Sequence, residues 1–76
     1  MGVKYMAVSY KKLWKLLIDR DMTKTEMRQK AGITTGALAK LGKNEDVNTQ
    51  VLTKICTSLD CDISDILEVV KEEKQI

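Results

Sequence analysis

Lys24, Lys40 and Lys43 stand beside threonine, alanine, leucine, glycine and asparagine, with no acid adjacent in sequence. Ammonium groups in such settings are free to donate to phosphate oxygens and to the O6 and N7 acceptors of guanine. The wider charge distribution points the same way. Residues 1–54 carry eleven of the thirteen Lys and Arg with five acids, a balance of +6, while residues 55–76 carry two Lys with six acids, a balance of −4. One end of the chain suits a polyanion and the other repels one. Other chemistries are poorly supplied. There is no histidine, so a reactive thiol would need another base beside it, and the acids fall on capping or solvent positions. Two cysteines without histidine are too few soft ligands for a tetrahedral zinc site. Neither an enzyme nor a metal or organic cofactor is expected, and no small-molecule ligand is evident.

The residues that could position these lysines read as a series of short helices. No proline occurs, so caps and glycines must punctuate the chain. Ser9 is expected to cap a first helix to about Arg20, with Tyr10, Leu13, Trp14, Leu16, Leu17 and Ile18 spread over an arc of about 200°. That is wider than one buried stripe, so a second element must cover part of it. Thr23-Lys24-Thr25-Glu26 fits a capping box and starts a second helix with Met27 and Ala31 inward. Gly32 ends it, Ile33 follows, and Thr34 caps a third helix with Ala37, Leu38 and Leu41 inward and Gly42 closing it. A polar loop leads to Asn48 or Thr49, the cap of a fourth helix carrying Leu52, Ile55, Cys56 and Leu59. After a turn at Asp60-Cys61-Asp62, a short fifth helix is expected, capped by Asp62 or Ser64 and carrying Ile66, Leu67 and Val70.

The helical domain thus spans 9–70, with an extension at 1–8 and a charged, fraying tail at 71–76. In the extension Val3, Tyr5 and Ala7 alternate with Lys4, Met6 and Val8. It reads as a strand pairing with the Glu68–Val70 region or with a second subunit, or as an unordered arm. No stretch approaches the roughly 20 apolar residues of a membrane span. The N-terminus has no secretory pattern, so a cytoplasmic protein with both thiols reduced is expected.

The run Met22-Thr23-Lys24-Thr25-Glu26-Met27, then Gly32 to Leu41, resembles the Cro and phage-repressor type of helix-turn-helix. The match extends through Leu52-Thr53-Lys54-Ile55-Cys56 and Leu59 to Leu67, covering about residues 10–70. The resemblance implies an all-α, five-helix, lambda-repressor-like domain that binds double-stranded DNA and regulates transcription, by default as a repressor. It implies that the third helix enters the major groove with Thr35, Gly36, Ala39 and Lys40 toward the bases. Lys40 is the expected guanine contact. Thr23, Lys24, Thr34, Lys43 and Asn44 are the expected phosphate contacts. Two residues depart from the family pattern. Arg28 stands where a small residue is usual, and its stem is expected to run along apolar surface with the guanidinium lifted to solvent. Gly36 lies inside the recognition helix, either to admit close backbone approach or to avoid a clash.

Such domains usually act as homodimers. Trp14 and Ile18, with Ile63, Val69 and Val70, are the expected dimer surface; the competing reading is a monomer whose own termini cover the first helix. The sparse base-reading face leaves a rival function open, a protein-binding adaptor or antitoxin module on the same scaffold.

Overall fold

The computed structural model describes residues 3–73, with side chains from 8 to 70. Its elements are β1 (Val3–Ser9), α1 (Lys11–Asp19), α2 (Lys24–Ala31), α3 (Thr35–Gly42), α4 (Thr49–Leu59), a 3-10 turn (Ile63–Asp65) and β2 (Glu68–Glu73).

Local chemistry sets most of the helix starts. The Thr23 hydroxyl accepts from the Glu26 N–H at 3.0 Å, and the Glu26 carboxylate accepts from the Thr23 N–H at 2.8 Å. Thr34 accepts from Ala37 N–H and Asn48 from Val51 N–H, both at 3.0 Å. Each of these caps satisfies an N–H that its helix leaves unpaired. Gly32 takes the left-handed backbone with φ at +72°, and both its N–H and that of Ile33 turn back to the Arg28 carbonyl.

Elsewhere the expected punctuation shifts by a residue or two. Ser9 ends β1 instead of capping α1. Tyr10 holds the cap position with no side-chain capping bond, because its ring is in the core at 1% exposure. Gly42 is the last residue of α3, and Asn44 supplies the positive φ, +57°, that turns the chain away. Asp60 does the same for α4 at +55°.

The expected fifth helix shrinks to the single 3-10 turn at Ile63–Asp65. The chain then extends, because Glu68, Val69 and Val70 pair antiparallel with Ser9, Val8 and Ala7. Pairing continues to Val3 and Glu73, with an irregularity between Tyr5 and Ala7, so Lys71–Glu73 belong to the strand and not to a fraying tail. The lambda-repressor-like helical fold stands with four helices and a 3-10 turn in place of five helices, and the N-terminal extension takes the strand form, pairing with the Glu68–Val70 region as one reading of its alternation had it.

One cluster fills the interior: Tyr10, Leu13 and Leu17; Met27 and Ile33; Leu41; Leu52, Ile55 and Leu59; and Ile66. Burial of each large apolar side chain contributes about 1.5–3 kcal/mol before chain entropy is set against it. Ala31, Ala37 and Leu38 pack on this cluster from the α2–α3 pair, and Val8 and Leu67 anchor the base of the sheet. A two-stranded sheet alone is marginal, so these anchors matter.

A Cβ on Gly32 meets nothing within 4 Å, so an alanine there is opposed by backbone strain alone. Gly32→Ala should lower stability by about 1–2 kcal/mol in urea unfolding. Gly42 also faces open space but has no positive φ. Gly42→Ala should instead raise stability, by up to about 1 kcal/mol; equal signs would contradict the backbone assignment.

Candidate nucleic-acid interface

Helices α2 and α3 begin with the same device. Thr23 and Thr34 have nearly identical extended backbones (φ −82° and −80°, both ψ 162°), and the hydroxyl of each accepts from the N–H three residues on. In α2 the N–H groups of Glu26 and Met27 go to Thr23, and in α3 those of Ala37 and Leu38 go to Thr34. Lys24 and Thr25, and Thr35 and Gly36, thus supply the helix-start N–H groups that can meet an anion at the positive end of the dipole. Glu26 works against this at α2, since its carboxylate sits on the Thr23 N–H.

Along α3, Thr34, Thr35, Gly36, Ala39 and Lys40 are exposed, Ala37 and Leu38 are half-buried, and Leu41 is fully buried. One face of the helix is thereby fixed to the core and the other is open. A Cβ built on Gly36 would find only the Thr34 hydroxyl oxygen, at 3.8 Å, an ordinary contact. Among the described residues Gly36 avoids no clash.

Lys24 and Asn44 both have partners that the sequence did not announce. The Lys24 ammonium lies over the Trp14 ring, 4.3 Å from its centroid, a cation–π contact that holds the charge against α1. Asn44 accepts the Tyr10 N–H on its carboxamide oxygen at 3.1 Å, which leaves its NH2 as the group able to donate outward. Tyr10 also donates its hydroxyl to the Glu45 carbonyl at 2.8 Å. The loop bearing Lys43 and Asn44 is therefore tied to the start of α1 by two hydrogen bonds across more than thirty residues.

Arg28 corrects an expectation. Its guanidinium bends back to the Ile33 carbonyl at 3.4 Å, bracing the turn between α2 and α3, in place of rising to solvent. Arg20 was missed altogether: its guanidinium donates to the Leu59 carbonyl at the end of α4, where cation and helix dipole agree. Both partners are backbone carbonyls, which no residue type advertises.

The expected dimer residues are distributed. Trp14 and Ile18 line one shallow groove with Leu17, Met22 and Lys24. Ile18 is 75% exposed there, whereas Trp14 is half-covered. Ile63 borders a different depression, beside Cys56 and Cys61. Val69 and Val70 are 58% and 41% exposed on β2. Neighbouring strand residues point to opposite faces, so both faces of the sheet are open at this level.

Two Thr-capped helices joined through a left-handed glycine, the second presenting a polar face, define a helix-turn-helix. The family of Cro/C1-type HTH DNA-binding domains matches residues 12–72, and the chain belongs to it. The family is one of DNA-binding transcription regulators. The chain is 37% identical over 60 residues to the uncharacterized HTH-type transcriptional regulator YozG of Bacillus subtilis (strain 168), covering 76% of this chain and 71% of that protein. It also superposes on a crystal structure of the transcriptional regulator VanUg with a TM-score of 0.86, at 55% identity, covering 91% of this chain and 92% of the other. No helix among the described residues is long and apolar enough to cross a membrane.

Burial, and next the charge of Asp46, push the Tyr10 phenol above its ordinary value of 10.0. The folded state thus holds this proton more tightly than the unfolded chain does. That contribution is complete below pH 10 and is lost as pH rises through the folded value. Tyr10→Phe should lower stability at neutral pH by about 1 kcal/mol through the stranded Glu45 carbonyl. The gap between variant and parent should narrow in unfolding curves taken above pH 10.

Proposed function

We propose that the protein represses transcription by placing α3 in the major groove of a promoter, as a two-fold dimer on half-sites about 34 Å apart. The observation that carries this reading is the division of α3 into a face sunk in the core at Leu41 and an open face of Thr35, Gly36, Ala39 and Lys40. Lys40 is the base-reading donor, aimed at guanine O6 and N7. Thr35 adds a hydroxyl and a methyl. With so few donors on this face, much of the selectivity falls to DNA shape.

Phosphates are gripped at the starts of α2 and α3 by Thr23, Lys24 and Thr34, and beyond α3 by Lys43 and Asn44. The Tyr10 tether supports the last two by holding their loop in place. Gly36 admits the backbone of α3 close to the duplex, a reading favoured by the room left at that position inside the chain. The role is one of binding and not of catalysis, in the cytoplasm. Trp14, Ile18, Ile63, Val69 and Val70 remain the candidates for dimer contact, with Ile18 and Val69 the most accessible.

Fluorescence anisotropy on duplexes selected from a random pool tests the proposal. Affinity should fall with salt at a slope of several units on logarithmic axes, and the selected sequences should be palindromic. Lys40→Ala should cost about 1–3 kcal/mol on selected sites and much less on random DNA. Lys43→Ala should weaken both alike and reduce the salt slope by about one. Lys43 is a cleaner probe than Lys24, whose removal also uncovers Trp14. Absence of binding even at low salt would favour the adaptor reading.

Gly36→Ala separates folding from recognition. It should raise stability by up to about 1 kcal/mol, because glycine disfavours a helix, while weakening DNA binding. An alanine variant that is more stable and binds as well as the parent would remove close approach as the reason for the glycine.

A further inference from the structure

The way α4 ends brings two thiols together, Cys56 on the helix and Cys61 just beyond it. With Asp60 in the left-handed conformation, the N–H groups of Asp60 and Cys61 both turn back to the Cys56 carbonyl, that of Cys61 at 3.0 Å. This closure sets the third residue from the helix end against the second residue beyond it, a pair whose side chains commonly meet. Here both residues are cysteines, both are half-buried, and both are free thiols. They line one open depression of about 400 Å³ together with Thr53, Thr57, Asp60, Asp62 and Ile63. DNA recognition as described above uses neither of them.

We propose that Cys56 and Cys61 form a dithiol modification site that reacts with small disulfides of the glutathione type and closes into an intramolecular disulfide across the end of α4.

The polarity of the pair sets the order of events. Burial, the largest cause at each, raises both thiols, and Cys56 is held further above its ordinary value than Cys61. Arg20 lies near Cys61 and favours its thiolate, against Asp62 and Asp65. Cys61 is the attacking sulfur. Its thiolate displaces one glutathione thiolate from glutathione disulfide and forms a mixed disulfide. The Cys56 thiolate then attacks the Cys61 sulfur and expels the second glutathione. Two protein thiols are oxidised, one glutathione disulfide is reduced to two thiols, and both protein protons pass to solvent or to the departing thiolates. Burial keeps both steps slow at neutral pH: it is the first cause raising each thiol, and it pushes Cys56 up to about 11. Reaction therefore accelerates with rising pH, and the resting protein is the dithiol.

Equilibration of the whole chain with defined ratios of reduced and oxidised glutathione, followed by acid quench, alkylation and intact-mass measurement, tests this. The expected product is a single chain lacking two hydrogens, with both cysteines protected from alkylation. The effective concentration of the pair should be roughly tenfold or more higher in native buffer than in guanidinium chloride, with a correspondingly higher Tm for the oxidised form. Cys56→Ser should stop at the glutathione adduct on Cys61, and Cys61→Ser should react more slowly than Cys56→Ser. Three outcomes would overturn the proposal: disulfides between chains, a persistent glutathione adduct on the unsubstituted protein, or an effective concentration no higher native than unfolded.

Discussion

With φ at +72°, Gly32 lets the chain leave α2 and re-enter a helix after only Ile33 and Thr34. That short connection fixes the angle at which α3 lies across α2, and the other features of the motif serve it. The Arg28 carbonyl receives both the Gly32 and Ile33 N–H groups. The Arg28 guanidinium then occupies the Ile33 carbonyl on the far side of the same turn. Met27, Ile33 and Leu41 clamp the pair from inside, all three in the core. What α3 offers to solvent follows from this clamp: once Leu41 is buried, Lys40 and Thr35 have only the outer side left to them.

The recognition unit does not stand on its own contacts alone. Its trailing loop is moored to Tyr10 and its leading lysine rests on Trp14, so α1 fixes both ends of the surface that the helix pair presents. This arrangement explains why a buried aromatic sits at a helix cap with no capping bond. Position 10 serves the loop at Asn44 and Glu45 more than the first turn of its own helix.

The parts of this structure that were legible from the sequence are those whose partners lie within four residues. The Thr23–Glu26 box, the Thr34 cap and the Gly32 turn are short-range geometries that residue identity specifies directly, and all three occur as read. The positions that misled depend on distant groups. Gly42 closes α3 as read, but the left-handed residue that follows is Asn44, whose side chain has a partner at Tyr10 to reward that conformation. The apolar spacing of Ile66, Leu67 and Val70 suits a helix, yet β-branched Val69 and Val70 gained strand partners at the opposite end of the chain. Arg28 and Arg20 found backbone carbonyls, to which no side-chain pattern points. The exposure of Thr35, Gly36, Ala39 and Lys40 was readable because Leu41 could only be buried. The Lys24–Trp14 contact was not, since it links two helices through the angle between them.

The pairing of β1 with β2 joins residues far apart in the chain, Ser9 opposite Glu68 and Val3 opposite Glu73. Closing so long a loop carries its full entropic cost before any strand contact forms, whereas the helix pair closes over a few residues. The sheet is therefore the least local part of the fold, and its closure carries a larger entropic cost than the docking of α3 on α2. During synthesis β1 must wait without its partner strand until β2 has been added. The docking of α2 on α3 thus depends on local chain, and the exposure of Val69 and Val70 on a paired strand depends on the most distant contact in the fold.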